Sequence, residues 1–292
     1  MSERQRLAVR KTYKLFIGGA FPRSESGRSY PVYAANGELS AYAAQASRKD
    51  LRDAVAAARR AVPGWSGATA YNRGQVLYRV AEMLEGRAAQ FAAEVAAAEG
   101  VSSDQAAAVV AAAIDRWVWY AGWSDKLAQV AGAANPVAGP YFNFSVPEPT
   151  GVVACLAPRG ASLLGLVSVL APVIVTGNTA VVVASEPHPL PAITLAEVLA
   201  TSDIPPGVVN VLTGRQAELA NVAASHRDVN AIDLTGAPDG DRAALERAAA
   251  GNLKRVFGAG SRWGEEDWGV SPGTRRLLAT VEIKTVWHPV GI

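Results

Sequence analysis

The sequence predicts an α/β fold: a doubly wound, mostly parallel sheet with helices on both faces, joined by a small antiparallel sheet. Three observations carry that expectation. Residues 148–186 read as strand, turn, buried helix, strand, with Val152–Ala157 ending at Pro158-Arg159-Gly160, Ser162–Val175 too apolar for an exposed helix, and Val181–Val183 behind the turn at 176–179. Strands so continuously apolar are usually covered on both faces. Helix and strand then keep alternating through Leu190–Thr201, Val208–Leu212, Gln216–Ser225, Asn230–Leu234, Asp241–Gly251 and Lys254–Phe257, as βαβ units require. Finally, Pro136–Pro147 and Val281–Val290 alternate apolar and polar residues with the period of a half-buried strand, and such strands need a partner for their edges.

In chain order, residues 1–14 carry Arg4, Arg6, Arg10, Lys11 and Lys14 against Glu3, which predicts a mobile basic arm. Leu15–Ile17 has strand character before a Gly18-Gly19 turn, and Asn36-Gly37 marks another reversal, so small antiparallel strands open the fold. Ser47 with Asp50 forms a capping box for a helix over Leu51–Val62 that Pro63-Gly64 should stop. Asn72 caps the next helix, in which Val76, Leu77, Val80, Leu84, Phe91 and Val95 recur at helical spacing up to Gly100. A third helix, from Ser103 to Val130, carries Trp117, Trp119, Tyr120 and Trp123. Packing against the sheet accounts for these rings better than base stacking does, because no basic residues interleave them. The segment 258–274, with Trp263 and Trp268 flanking Glu265, Glu266 and Asp267, reads as a polar connection.

Composition narrows the function classes. The chain has 292 residues, half of them hydrophobic, so it can bury a sizeable core. A net charge of +2, with 18% charged residues, supplies no field for nucleic acid or an acidic membrane, and neither is expected as a partner. One cysteine, Cys155, excludes an internal disulfide and suits a reducing cytoplasm. Its place inside an apolar strand predicts a packing role for the thiol. The first residues lack a signal-peptide core, and the apolar run at 163–175 is too short to span a bilayer. His188, His226 and His288 are scattered outside any metal-ligand spacing, so no metal is expected.

A series of landmarks goes further: LFIGGAF at 15–21, YAGWSDK at 120–126, EPTGVVACLAP at 148–158, TGNTAVV at 176–182, PPGVVNVLTG at 205–214, ASHRDVNAIDLTG at 224–236, NLKRV at 252–256 and EIKTVW at 282–287. In this order they resemble the cofactor-binding half of an aldehyde dehydrogenase over nearly the whole chain. That family oxidises aldehydes with NAD or NADP through a nucleophilic cysteine, an oxyanion-holding asparagine and a glutamate base.

The resemblance implies losses as well as kept features. The glutamate belongs to a pattern like L-E-L-G-G-K after NLKRV, where this chain has Ala259. The asparagine belongs to P-W-N, replaced by Pro158-Arg159-Gly160. The domain carrying the nucleophile is replaced by a short linker, so no catalytic residue is expected. Of the K-P-x-E pattern that holds the adenosine ribose, Glu186 remains while Val183 stands for the lysine. The pyrophosphate loop F-T-G-S-x-x-x-G becomes Leu234-Thr235-Gly236-Ala237 with Asp241 at the second glycine, where a carboxylate would repel phosphate. No bound cofactor is therefore expected. Ala157, Pro158, Glu186, Thr235 and Gly236 are the positions of a vestigial NAD(P) site.

The implied organisation is a basic arm (1–14), a Rossmann-like cofactor-domain homologue (15–130 and 148–258), a linker in place of the catalytic domain (259–276) and oligomerisation strands (131–147 and 277–292). The implied function is a non-catalytic homologue that assembles with itself or with a full-length aldehyde dehydrogenase through 131–147 and 281–292. The alternatives are an NAD(P)-binding sensor without turnover, and a subunit of an NAD-dependent aldehyde oxidoreductase whose active centre a partner supplies.

Overall fold

In a computed structural model, which describes residues 9–238, 240–258 and 267–291, five strands form one parallel sheet: β6 (Val152–Leu156), β7 (Thr179–Val183), β8 (Val209–Leu212), β9 (Ala231–Asp233) and β10 (Arg255–Phe257). Their order is β10-β9-β6-β7-β8, so the chain winds outward from β6 in one direction and then from β9 in the other. The register sets Cys155 beside Val182 on one side and Asp233 on the other. The doubly wound expectation holds.

Each face has its own core. On one, Val153, Cys155 and Val182 pack beneath α6 (Leu164–Val175), all twelve of whose residues are buried. Outside α6 lie α2 (Ala70–Glu85), α3 (Ala88–Glu99), α4 (Ser103–Ala121) and α7 (Leu190–Ala200). On the other face, Val152, Ala154, Leu156 and Ile232 meet α1 (Arg48–Gly67), α8 (Gln216–Ser225) and α9 (Arg242–Ala250). Trp117 and Tyr120 are fully buried, but they pack on α6 and its neighbouring helices rather than directly on the sheet.

Several boundaries differ from the sequence reading, each for a local reason. The helix capped by Ser47 and Asp50 runs past Pro63-Gly64 to Gly67. Its final turn is anchored by Trp65, which is buried and donates its indole N–H to the carbonyl of Ile174 at 2.8 Å. The helix expected from Asn72 to Gly100 is two helices broken at Gly86-Arg87, and Thr69 rather than Asn72 caps the first. Gly100 closes the second with φ of 69°, the left-handed conformation glycine adopts without strain. The helix expected to reach Val130 stops at Ala121, and a short α5 (Leu127–Ala131) follows.

At the amino end, β1 (Thr12–Tyr13) lies parallel to β3 (Leu39–Ala44), which pairs antiparallel with β2 (Ser29–Tyr33). Phe16 exchanges two backbone hydrogen bonds with Val211, so Leu15–Ile17 joins the edge of the main sheet instead of the small one. Of the basic arm, residues 1–8 lie outside the described residues. Lys11 is not free: it sits 3.0 Å from Glu197 and 4.2 Å from the ring centre of Tyr13.

A third sheet, ordered β11-β5-β4, is fully antiparallel: β4 (Ala133–Asn135), β5 (Tyr141–Pro149) and β11 (Val281–Pro289). Part of the expected linker is ordered against the body, with α10 (Arg275–Ala279) leading into β11. Buried Asn178 fixes this junction. Its Oδ1 accepts from the amide of Gly151 at 2.7 Å, and its Nδ2 donates to the carbonyl of Thr280 at 2.7 Å. No helix among the described residues is long and apolar enough to cross a membrane.

Candidate functional site

A doubly wound sheet receives ligands at the carboxyl ends of the strands where its order reverses. Here that is the gap between β6 and β9, and four of the five expected positions meet there. The backbone of Gly236 donates to the carbonyl of Leu156 at 2.9 Å, tying the loop after β9 to the end of β6. A Cβ at Gly236 would stand 1.9 Å from the carbonyl oxygen of Ala157, so only glycine permits this approach. Pro158 is buried against the first turn of α6, where a Cβ on Gly165 would come within 3.0 Å of its ring. Glu186 stands apart from these, at the end of β7. Its carboxylate accepts the amide of Gln216, the first residue of α8, at 3.1 Å. The Gln216 side chain in turn donates to the carbonyl of Ala157 at 2.9 Å, linking the two groups of positions.

The residues that dominate the gap were not among those expected. Asp233, fully buried at the end of β9, receives the guanidinium of Arg276 at 2.5 Å. Its other oxygen accepts both the amide (2.9 Å) and the hydroxyl (2.5 Å) of Thr235, and Arg276 donates a further bond to that hydroxyl at 3.0 Å. Gly258, at the end of β10, closes on the same carboxylate, with an added Cβ falling 2.7 Å from it. The Trp268 ring lies 5.5 Å from the Arg276 guanidinium. Arg116 of α4, also buried, holds the carbonyls of Trp268 and Val270 at 2.7 and 3.0 Å and the Ser168 hydroxyl at 2.6 Å. Two buried arginines thus fasten residues 268–276 onto the sheet and α6. The sequence did carry one signal: a single charged residue, Asp233, inside the apolar run Ala231–Leu234.

Chemically, the groups at this gap bond to one another. The Thr235 hydroxyl donates to Asp233 and accepts from Arg276, and the Glu186 carboxylate complements the amino end of α8. Asp241 occupies the N-cap position of α9 without a side-chain cap bond. A pyrophosphate would need the Thr235 hydroxyl and an uncharged helix end, and neither is offered, so the loop after β9 does not fit one. Cys155 is fully buried, and burial, with Asp233 close by, pushes its thiol well above its ordinary pKa, away from the thiolate a nucleophile needs. The positions of Ala259 and Trp263 lie outside the described residues. Among the described residues no cluster of histidine, cysteine and carboxylates could hold a metal. His226 accepts the amide of Asp228 at the end of α8, His188 is half-buried, and His288 is exposed on β11.

The fold and this gap define a doubly wound, dinucleotide-binding type of α/β domain with an appended three-stranded antiparallel sheet. The aldehyde dehydrogenase family model matches residues 21–259, and the chain belongs to that family. It is 35% identical over 251 residues to human retinal dehydrogenase 2, covering 84% of this chain and 48% of that protein. An Aspergillus niger aldehyde dehydrogenase is 33% identical, over 83% of this chain and 48% of its own length. Among solved structures, a putative aldehyde dehydrogenase from Burkholderia cenocepacia superposes with a TM-score of 0.80 at 30% identity, covering 84% of this chain and 50% of its own. An NAD+ complex of an aldehyde dehydrogenase from Bacillus cereus gives 0.79 at 26% identity, with the same coverage. The chain spans about half the length of the relatives it matches.

Proposed function

We propose that this chain is a non-catalytic member of the family that serves as a structural or regulatory partner, assembling with itself or with a full-length aldehyde dehydrogenase. The observation that carries this reading is the Asp233–Arg276–Thr235 cluster. An ion pair fills the gap where the fold would receive a ligand, and the residues in it already satisfy one another. The buried, protonated thiol of Cys155 supports the same conclusion. The bound NAD+ of the Bacillus cereus enzyme belongs to that protein. Placing a dinucleotide here would require the Thr235 hydroxyl to give up Asp233 or Arg276.

Association is supported by the third sheet, which leaves Tyr141, Phe142, Ile283 and Trp287 exposed on two adjacent strands. Exposed aromatic and aliphatic side chains grouped on a strand pair mark contact surfaces. We place the protein in the cytoplasm, in keeping with one reduced, buried cysteine.

The test combines chemistry and assembly. The purified chain is assayed for NAD(P)-dependent oxidation of a panel of aldehydes, titrated calorimetrically with NAD+ and NADP+ to millimolar concentration, and sedimented alone and with a full-length aldehyde dehydrogenase from the same cell. Expected are no turnover, no binding heat and a complex of defined stoichiometry. Aldehyde oxidation by the chain alone would overturn the proposal.

A further inference from the structure

The structure fixes which backbone groups of β11 are available for association. The ladder between β11 and β5 is bracketed by two hydrogen bonds, Thr150 N–H to the carbonyl of Thr280 (3.2 Å) and Val290 N–H to the carbonyl of Pro140 (2.9 Å). In an antiparallel pair, hydrogen-bonded and non-hydrogen-bonded positions alternate. The even-numbered residues Glu282, Lys284, Val286 and His288 therefore bond to β5, opposite Glu148, Val146, Phe144 and Phe142. The odd-numbered residues Ile283, Thr285 and Trp287 turn their N–H and C=O groups to the other edge, where no strand pairs among the described residues. Pro147, Pro149 and Pro289 all fall on odd-position pairs, where a missing N–H costs the β5–β11 ladder nothing.

That edge carries one proline, Pro289, whose missing N–H removes an outward donor at its last residue, and few other features that discourage pairing. It is nine residues long and carries Ile283 and Trp287, both more than half exposed. Its one lysine, Lys284, is matched within the sheet by Glu148 at 3.0 Å.

We infer that the free edge of β11 pairs with β11 of a second copy of this chain, antiparallel, about a two-fold axis through Thr285. The inference rests on the reading that the chain acts by association, and the strand's own sequence selects the register. With Thr285 opposite itself, Ile283 faces Trp287, Glu282 faces His288 and Lys284 faces Val286, so all nine residues of each strand are matched and no like charges meet. Centring on Lys284 sets two ammonium groups opposite each other, which disfavours the pair. Centring on Val286 brings Lys284 opposite His288, and centring on Ile283 or Trp287 leaves nearly half of the strand without a partner. In the Thr285 register the outward groups of Ile283, Thr285 and Trp287 exchange about six hydrogen bonds, two per hydrogen-bonded pair. The product is one continuous six-stranded sheet running β4-β5-β11-β11-β5-β4 through both copies, a closed isologous dimer.

Cysteine crosslinking reads the register directly, because the native Cys155 is fully buried. In the proposed dimer the two Thr285 Cα atoms stand about 5.5 Å apart, within disulfide range. Mild oxidation of Thr285→Cys should give a covalent dimer. Ile283→Cys should not, since its two copies are offset by four residues, roughly 13 Å. A second variant, Thr285→Pro, removes an edge-facing donor and the hydroxyl that meets Ser145 at 2.9 Å, while the backbone hydrogen bonds to β5 remain. It should convert a sedimenting dimer into a monomer while leaving the far-UV circular dichroism unchanged. Crosslinking through Ile283→Cys or Trp287→Cys but not Thr285→Cys would overturn the register, and a dimer that survives Thr285→Pro would overturn the edge. If the chain sediments as a monomer alone yet joins a full-length aldehyde dehydrogenase, the inference fails and the functional reading stands. If it joins neither, both fail.

Discussion

Arg276 buries its guanidinium 2.5 Å from the Asp233 carboxylate, with both side chains almost wholly withdrawn from solvent, across 43 residues of sequence. Removing one partner of such a pair strands an uncompensated buried charge, which costs about 3–5 kcal/mol, whereas replacing both with apolar groups is often close to neutral. Arg276→Leu and Asp233→Leu should each lower the urea midpoint sharply, and the double variant should recover most of the loss. Additive effects in that cycle would mean that the two residues do not act as a pair.

Asn178 offers a second test, at the opposite end of the sheet. Its amide satisfies the Gly151 N–H and the Thr280 carbonyl together, and Thr280 begins the approach to β11. Asn178→Leu leaves the Gly151 N–H without a bond inside the core, at about 1–3 kcal/mol, while the Thr280 carbonyl keeps the Thr150 amide and hydroxyl as donors. Unfolding should shift by that order. Amide exchange should accelerate at the start of β6, where the Gly151 N–H loses its partner, more than in β11, whose Thr280 carbonyl is still held by Thr150.

How much of this was legible in the sequence depends on how local each cause is. The capping box at Ser47, the helix end at Gly100 and the βαβ alternation are written within a few residues, and they appear as read. The break at Gly86-Arg87 was hidden because Leu84 and Phe91, seven apart, fall on one helical face whether or not the helix is interrupted. Pro63 misled in the other direction. Its cost to the helix is local, while the compensating Trp65–Ile174 contact joins residues 109 apart. At the site, the resemblance to the family's cofactor motifs located Ala157, Pro158, Thr235 and Gly236. The ion pair that fills the gap arises only when β9 and α10 meet, and no local pattern encodes that.

Gly236 tests how tightly the gap is closed. An alanine methyl would be forced within 1.9 Å of the Ala157 carbonyl, and both contacting groups are backbone held by the ladder. Gly236→Ala should therefore cost at least the 1–3 kcal/mol typical of overpacking, read as a lower thermal midpoint. Gly240→Ala, four residues on at an open position, keeps only the strain of its positive φ and should be milder.

Lys254 gives a pH signature. Its ammonium is tucked under the carboxyl end of α8, donating to the carbonyls of His226 (2.7 Å) and Ala223 (3.3 Å), and burial lowers its pKa to about 8 from an ordinary 10.5. Between those two values the unfolded chain holds this proton and the folded chain does not. Stability from this group therefore rises with pH across the window, and the full penalty is present below pH 8. Lys254 is 7% exposed, so water screens the effect little. A Lys254→Met variant lacks that gain. Denaturation at intervals from pH 7 to 10.5 should therefore show wild type gaining on the variant above pH 8. A constant difference across the range would show that burial does not lower the pKa of this ammonium.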